Sequence, residues 1–290
     1  MSTSAAADQP LGGQVCVLTG ASSGIGLTAS VGLARLGATM ILVARDRDRG
    51  SAALAQVSQA ATSAPPRLEL ADLASQQQVR ELAGRLAKLP VIDVLINNAG
   101  LVVGDLTITA DGIEQTFAVN HLAPFLLTNL LRPTLAASPA ARVVTVSSAG
   151  HRAARLNLEH AATMPRYLPM LAYANSKLAN VLFTTELARR LTGTITANCL
   201  HPGLIGSRFG QSGAPWLRLV MSLAQPFLTS PQAGALTTIY LASSPQVAGL
   251  TGGYYVNCRP RRPSPAARNA ALAGRLWELS AKLTDLPADL

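Results

Sequence analysis

Lysine and cysteine each occur only three times in this 290-residue chain, and aromatic side chains make up 4% of it. Each scarcity excludes something. Cys16, Cys199 and Cys258 are isolated and odd in number, and the first two fall in apolar, strand-like runs. Neither a disulfide framework nor a metal site is expected, and a reducing cytoplasm fits best. No run of about 18 apolar residues occurs, so no membrane span is expected. The opening MSTSAAADQP lacks both the basic start and the apolar stretch of a secretory signal. Acidic residues are outnumbered 15 to 24, for a formal charge of +9. The excess is scattered arginine, clustered only in RDRDR (45–49) and CRPRRP (258–263), with no basic helical face interleaved with aromatics. Nucleic acid is therefore not an expected partner.

Apolar residues, by contrast, supply 49% of the chain, enough for a sizeable core. Short β-rich runs at 14–19, 39–44, 67–70, 91–97, 142–148, 194–200 and 253–257 alternate with helix-compatible stretches. These begin near Gly24, Arg47, Ser75, Asp111, Tyr173 and Ser230. Such alternation, with continuous apolar strands, predicts one doubly wound α/β domain of the Rossmann type: a seven-stranded parallel sheet covered by helices on both faces. The expected organisation is a flexible tail at 1–12, the sheet domain at 13–258, and an extension at 259–290. The extension carries an amphipathic helix marked by Leu272, Leu276, Leu279 and Leu283. Two segments, 149–172 and 204–229, break the rhythm. Both follow strands, so both are expected to rim the crevice at the strands' carboxyl ends.

The first strand runs into TGASSGIG (19–26). Gly20 permits a tight turn, and Gly24 lets backbone N–H groups approach a pyrophosphate. Gly26 lets the following helix pack closely, placing phosphate at that helix's N-terminus. Beyond the second strand, Ala44 stands where an NAD-selective carboxylate is expected and Arg45 follows. A guanidinium there can clasp a 2′-phosphate, which points to NADP(H) over NAD(H). Asp46 is an ambiguous neighbour: it can pair with Arg45 or, in another register, take the ribose.

With TGASSGIG, NNAG (97–100) and Tyr173-x-x-x-Lys177 in that order, the chain resembles the short-chain dehydrogenase/reductase family over about 13–283. YANSKLANVLFTTELARR (173–190), HPG (201–203) and the late YYVNCRP…LWELS resemble its retinol dehydrogenase-like and WW-domain-oxidoreductase-like branch. That resemblance implies an NADP-linked oxidoreductase acting on lipophilic alcohols, aldehydes or ketones. It also implies roles. Ser22, Ser23 and Ile25 belong to the phosphate turn, while Asp72 and Leu73 contact the adenine. Asn98, Ala99 and Gly100 line the cofactor, and Asn120 supports a water linked to the lysine. Ser148 hydrogen-bonds the substrate carbonyl. Tyr173 is the acid/base, Lys177 holds the nicotinamide ribose, and Pro202, Gly203, Ile205 and Ser207 wrap the nicotinamide. Relatives often assemble through the helices corresponding to 111–137 and 173–191, so a homodimer or homotetramer is compatible.

Ser148 and Tyr173 are 25 positions apart, about twice the spacing common in the family, though this branch carries an insertion there. A tyrosine normally titrates near ~10, and a neighbouring ammonium with an oxidised nicotinamide is expected to lower that value. Positions i and i+4 share a helix face, so Tyr173 and Lys177 can act on one ligand. His121 and His201 are expected to be structural. His151 and His160, in the insertion, have a weak claim to substrate contact. The same Ser/Tyr/Lys set also supports cyclisation, dehydration or epimerisation without net redox, whereas a mere nucleotide sensor would not keep it intact.

Overall fold

The computed structural model describes residues 9–191, 193–203 and 230–289. The expected rim segment 204–229, with Ile205 and Ser207, therefore lies outside the described residues, as does most of the expected tail. Within residues 9–12, Leu11 is buried and its N–H donates to Leu36 O at 2.9 Å, so ordered packing begins ahead of residue 13.

Alternation of strand and helix runs through β1 (Val15–Thr19), α1 (Gly24–Arg35), β2 (Thr39–Ala44), α2 (Arg47–Ala60), β3 (Arg67–Leu70), α3 (Gln76–Leu86) and β4 (Val94–Asn97). It continues through α4 (Gln115–Phe117), a π-helical turn (Ala118–Leu122), α5 (Ala123–Leu130), α6 (Arg132–Ala136) and β5 (Arg142–Val146). After the insertion come α7 (Pro169–Arg190), β6 (Thr196–His201), α8 (Pro231–Ser243), β7 (Tyr254–Val256), β8 (Arg259–Pro260) and α9 (Ala270–Leu283). The strands join in the order β3-β2-β1-β4-β5-β6-β7-β8, so the winding reverses between β1 and β4. An open α/β sheet splays its loops apart at such a reversal, leaving a crevice beyond the carboxyl ends of the strands.

Three departures from the sequence reading have identifiable causes. Among the described residues the sheet has eight strands, because Asn257 (φ 51°) and Cys258 (φ 58°) both turn left-handed and fold β8 back antiparallel on β7. Two successive positive φ values are the geometry of a tight hairpin turn. The helix expected near Asp111 starts only at Gln115. Asp111-Gly112 makes a turn instead, with Gly112 at φ 76° and Ile108 bridged to Glu114. The helix expected near Tyr173 starts earlier, at Pro169, since proline is pre-set for a first helical position and its missing N–H costs nothing there.

α7 is apolar on much of its circumference because it is covered from two sides. One side lies on the sheet. On another, α9 places Trp277 stacked on Phe183 (centroids 6.1 Å, 19° between planes) and edge-on to Phe125 at 4.9 Å. The Arg190 guanidinium lies 4.7 Å from the Trp277 ring centre. His121 joins the same layer through a 2.9 Å hydrogen bond between Nε2 and Ser280 Oγ. Burial pushes its pKa down to about 3, in keeping with a structural, neutral imidazole. Among the described residues no helix is long and apolar enough to cross a membrane.

Candidate active site

A cleft of about 490 Å³ opens at the β1/β4 reversal. Its walls include Gly20, Ser22, Ser23, Gly24, Ile25 and Gly26 from the β1–α1 turn, with Arg45 after β2. Asp72 and Leu73 after β3, and Asn98, Ala99 and Gly100 after β4, complete it. Every one of these was expected from the sequence. The turn is held by close backbone approach. A Cβ on Gly26 would lie 2.2 Å from Gly20 O and 2.6 Å from Asn98 Nδ2, so only glycine fits. Gly24 is left-handed (φ 55°) with open space where a side chain would stand, leaving its main chain accessible.

Thr19 and Asn98 fix this geometry. Thr19 Oγ1 accepts from the N–H groups of Asn98 (3.0 Å) and Ala99 (3.1 Å), while Asn98 Nδ2 donates to Thr19 O at 2.8 Å. Asn98 thus clamps β4 to the glycine turn as well as lining the cleft. Asp46 forms no ion pair with Arg45; its carboxylate accepts from Arg49 N at 2.8 Å and caps α2 at the edge of the cleft. Arg45 is exposed beside it. Arg49, which motif reasoning passed over, also lines the cleft and donates from Nη2 to Ser23 Oγ at 3.3 Å. Its place in the basic run RDRDR (45–49) was the available signal.

The second group of residues lies around Gly100 and Gly150. A Cβ on Gly100 would sit 3.2 Å from Lys177 Nζ and 3.4 Å from Asn120 Oδ1. Lys177 is buried on α7, and its Nζ donates to Val146 O at 3.0 Å and lies 5.6 Å from the Tyr173 ring centre. Across from it, a Cβ on Gly150 would stand 3.5 Å from both Ser148 Oγ and Tyr173 Cε1. Ser148, Tyr173, Lys177 and Asn120 therefore meet beyond β4 and β5, next to the cleft. Asn120 sits in the π-helical turn, an irregularity frequent at functional sites. Its Oδ1 accepts from Leu101 N (2.8 Å), and its Nδ2 donates to Leu101 O (2.9 Å) and Ser176 Oγ (3.0 Å). The amide donors are thus committed to tying the β4 loop to α7. Pro202 and Gly203 follow β6, with Gly203 left-handed at φ 98°.

Burial governs the titration here. Lys177 is pulled down to about 8 by desolvation. Desolvation raises Tyr173 above its ordinary value, and a hydrogen bond with Ser148 partly offsets this. The expected lowering of the phenol is therefore not supplied by these side chains, because desolvation outweighs the hydrogen bond with Ser148. His151 is buried with a structural task. Its Nε2 accepts from Ser264 N at 3.1 Å, which leaves the proton on Nδ1 to donate to Ser148 O at 2.6 Å. It links the serine's main chain to the segment before α9, and burial lowers its pKa. His201 is likewise lowered by burial.

A glycine-rich phosphate turn at a sheet reversal and a Ser/Tyr/Lys cluster beside it define a dinucleotide-linked dehydrogenase. The sequence profile described as short chain dehydrogenase matches residues 14–217, and the chain belongs to that family. Family members use nicotinamide dinucleotides. The chain is 40% identical to mouse (Mus musculus) retinol dehydrogenase 14 over 286 residues, covering 92% of this chain and 85% of that protein. It is 42% identical to dehydrogenase/reductase SDR family member 13 of Bos taurus, covering 95% and 74%. A crystal structure of a protein from Mycobacterium Paratuberculosis superposes with TM-score 0.79 at 36% identity, covering 98% of each chain. A short chain dehydrogenase from Escherichia coli CFT073, complexed with NADPH, matches with TM-score 0.67 at 25% identity, covering 87% and 99%.

Proposed function

We propose that this protein is an NADP(H)-dependent oxidoreductase that interconverts a hydrophobic alcohol and its aldehyde or ketone. The observation that carries the reading is the pairing of Lys177 with Asn120 against Gly100, which lines the dinucleotide cleft, and of Ser148 with Tyr173 against Gly150. The retinol dehydrogenase relatives support a lipophilic substrate.

The cleft fits a nicotinamide dinucleotide: a glycine turn open to backbone approach at Gly24, and after β2 an exposed Arg45 beside an aspartate that caps α2. Arg45 and Arg49 would hold the 2′-phosphate, as two planar donors on one anion. Asp72 and Leu73 would flank the adenine, with Asn98, Ala99 and Gly100 along the middle of the molecule. Lys177 would bind the nicotinamide ribose, and Pro202, Gly203, Ile205 and Ser207 would enclose the nicotinamide. When bound, the cofactor supplies or accepts the hydride.

The chain's own residues manage the proton and the oxygen. Ser148 Oγ donates to the carbonyl oxygen as negative charge builds on it, and Tyr173 delivers its phenolic proton to the same atom. In the opposite direction Tyr173 accepts the alcohol proton. Lys177 keeps a positive charge within reach of the tyrosine through its bond to Val146 O. Asn120 holds the β4 loop and α7 in register, so that Gly100 stays between amide and ammonium.

The test is NADPH consumption with a panel of lipophilic aldehydes and ketones. Stoichiometric oxidation of NADPH with alcohol formation supports the reading. Product formation without NADPH consumption would overturn it in favour of non-redox acid/base chemistry at the same site.

A further inference from the structure

Behind α7, away from the catalytic cluster, lies a second cavity of about 550 Å³. Its α7 wall is Leu171, Ala172 and Asn175. With about 100° per residue, Asn175 lies roughly 200° around the helix from Tyr173, so the cavity faces the opposite side from the phenol. The remaining walls come from the start of α4 and from the 155–166 part of the insertion. The volume falls in the range of about 300–1,000 Å³ usual for small-molecule sites.

The lining divides by chemistry. Phe117, Met164 and Leu171 give an apolar interior, while Arg155, His160 and Arg166 bring basic side chains from the insertion. Among the described residues neither arginine takes part in an ion pair; those pairs involve only Arg85, Arg189 and Arg190. The acid in the wall, Glu114, forms an ion pair with neither. Its carboxylate is buried and accepts from the main-chain N–H groups of Thr116 (2.6 Å) and Phe117 (2.9 Å). Arg155 itself is anchored, its N–H donating to Asn175 Oδ1 at 2.8 Å, which ties the insertion to the back of α7. An apolar pocket with unpaired guanidinium groups is complementary to a molecule with an apolar body and one anionic end.

We infer that this cavity is a binding site for a lipophilic carboxylate, with its chain against Phe117, Met164 and Leu171 and its carboxylate on Arg155 and Arg166. The site is separate from the redox cluster and stands or falls independently of it.

Calorimetric titration of the full chain with dodecanoate tests the inference, with dodecanol as the neutral probe and acetate as the charge-only probe. The expected result is saturable one-site binding of dodecanoate and none of acetate. In the Arg155→Ala/Arg166→Ala double variant, dodecanoate binding weakens at least tenfold, while NADPH affinity, Tm and any dodecanol binding stay unchanged. Both arginines are exposed, so the variant is not expected to disturb folding. Absence of saturable dodecanoate binding, or an affinity within twofold of the parent in the double variant, would overturn the site. The second outcome would place the ligand in the catalytic cleft instead.

Discussion

The two halves of the active site are made from different material. The phosphate end of the dinucleotide half is mostly main chain: glycines 20, 24 and 26 where β1 passes into α1, fixed by a threonine hydroxyl and one asparagine amide from the ends of adjacent strands β1 and β4. The redox half is side chain. Its members come from the π-helical turn, the loop just beyond β5 and the first half of α7, and it is braced by a histidine that reaches Ser264. A main-chain site tolerates no added atom but needs few partners. A side-chain site tolerates substitution nearby but depends on distant segments being in place.

Substitutions on either side break that comparison in different ways. The largest effect is expected from Tyr173→Phe. Losing a positioned acid/base costs about 10²–10⁴-fold in turnover. Steady-state rates and a fluorescence titration check it: kcat falls while NADPH affinity stays within about twofold. Full turnover in this variant would remove the tyrosine from the mechanism. Next is Gly26→Ala, whose methyl would press on Gly20 O and Asn98 Nδ2. Overpacking of this kind costs about 1–3 kcal/mol, visible in thermal unfolding, and dinucleotide binding should be lost with it.

Arg45→Ala sharpens the comparison within the dinucleotide half. Hydrogen bonds to charged groups contribute about 1.5–3 kcal/mol, so NADPH should bind at least about tenfold more weakly while NADH is unaffected. Arg49→Ala should show the same selectivity with a smaller loss, read from the same pair of titrations. Equal weakening of NADH would show that the arginines act on something other than the 2′-phosphate.

The smallest effect concerns Lys177 and pH. Its folded pKa, about 8, lies below the ordinary lysine value of 10.5 because burial disfavours the ammonium. Between those values the unfolded chain binds more protons than the folded one, so stability rises with pH. From pH 8 to pH 9 this contributes about 1 kcal/mol, and Lys177→Met should flatten that slope in urea unfolding curves. A slope unchanged by the substitution would mean that burial does not lower the Lys177 pKa.

What the sequence made legible follows the same division. The glycine turn, Arg45, the NNAG loop and the Tyr173/Lys177 pair were readable because each depends on local spacing: a turn, a strand end, one helical step. The role of His151 was not, since Ser264, its partner, lies 113 positions away. Asp46 stayed ambiguous for a related reason. A carboxylate before a helix serves equally as cap or ligand until the helix start is known, and only the start at Arg47 identifies the cap. The eighth strand escaped notice because Cys258 is a poor sign of positive φ, although Asn257 before it is a fair one. The cavity behind α7 had no local signature, since its walls come from three separate segments.

The seat of Trp277 has a further meaning for how the chain is made. His121 and Ser280 touch across 159 positions, and the ring of Trp277 covers Phe125 and Phe183. During synthesis, the helix bearing the acid/base pair is complete long before the segment that shields its apolar flank emerges. Until then that flank is an uncovered strip of phenylalanine and leucine, open to chaperones or to self-association. Activity should therefore appear late and all at once, when 270–283 docks.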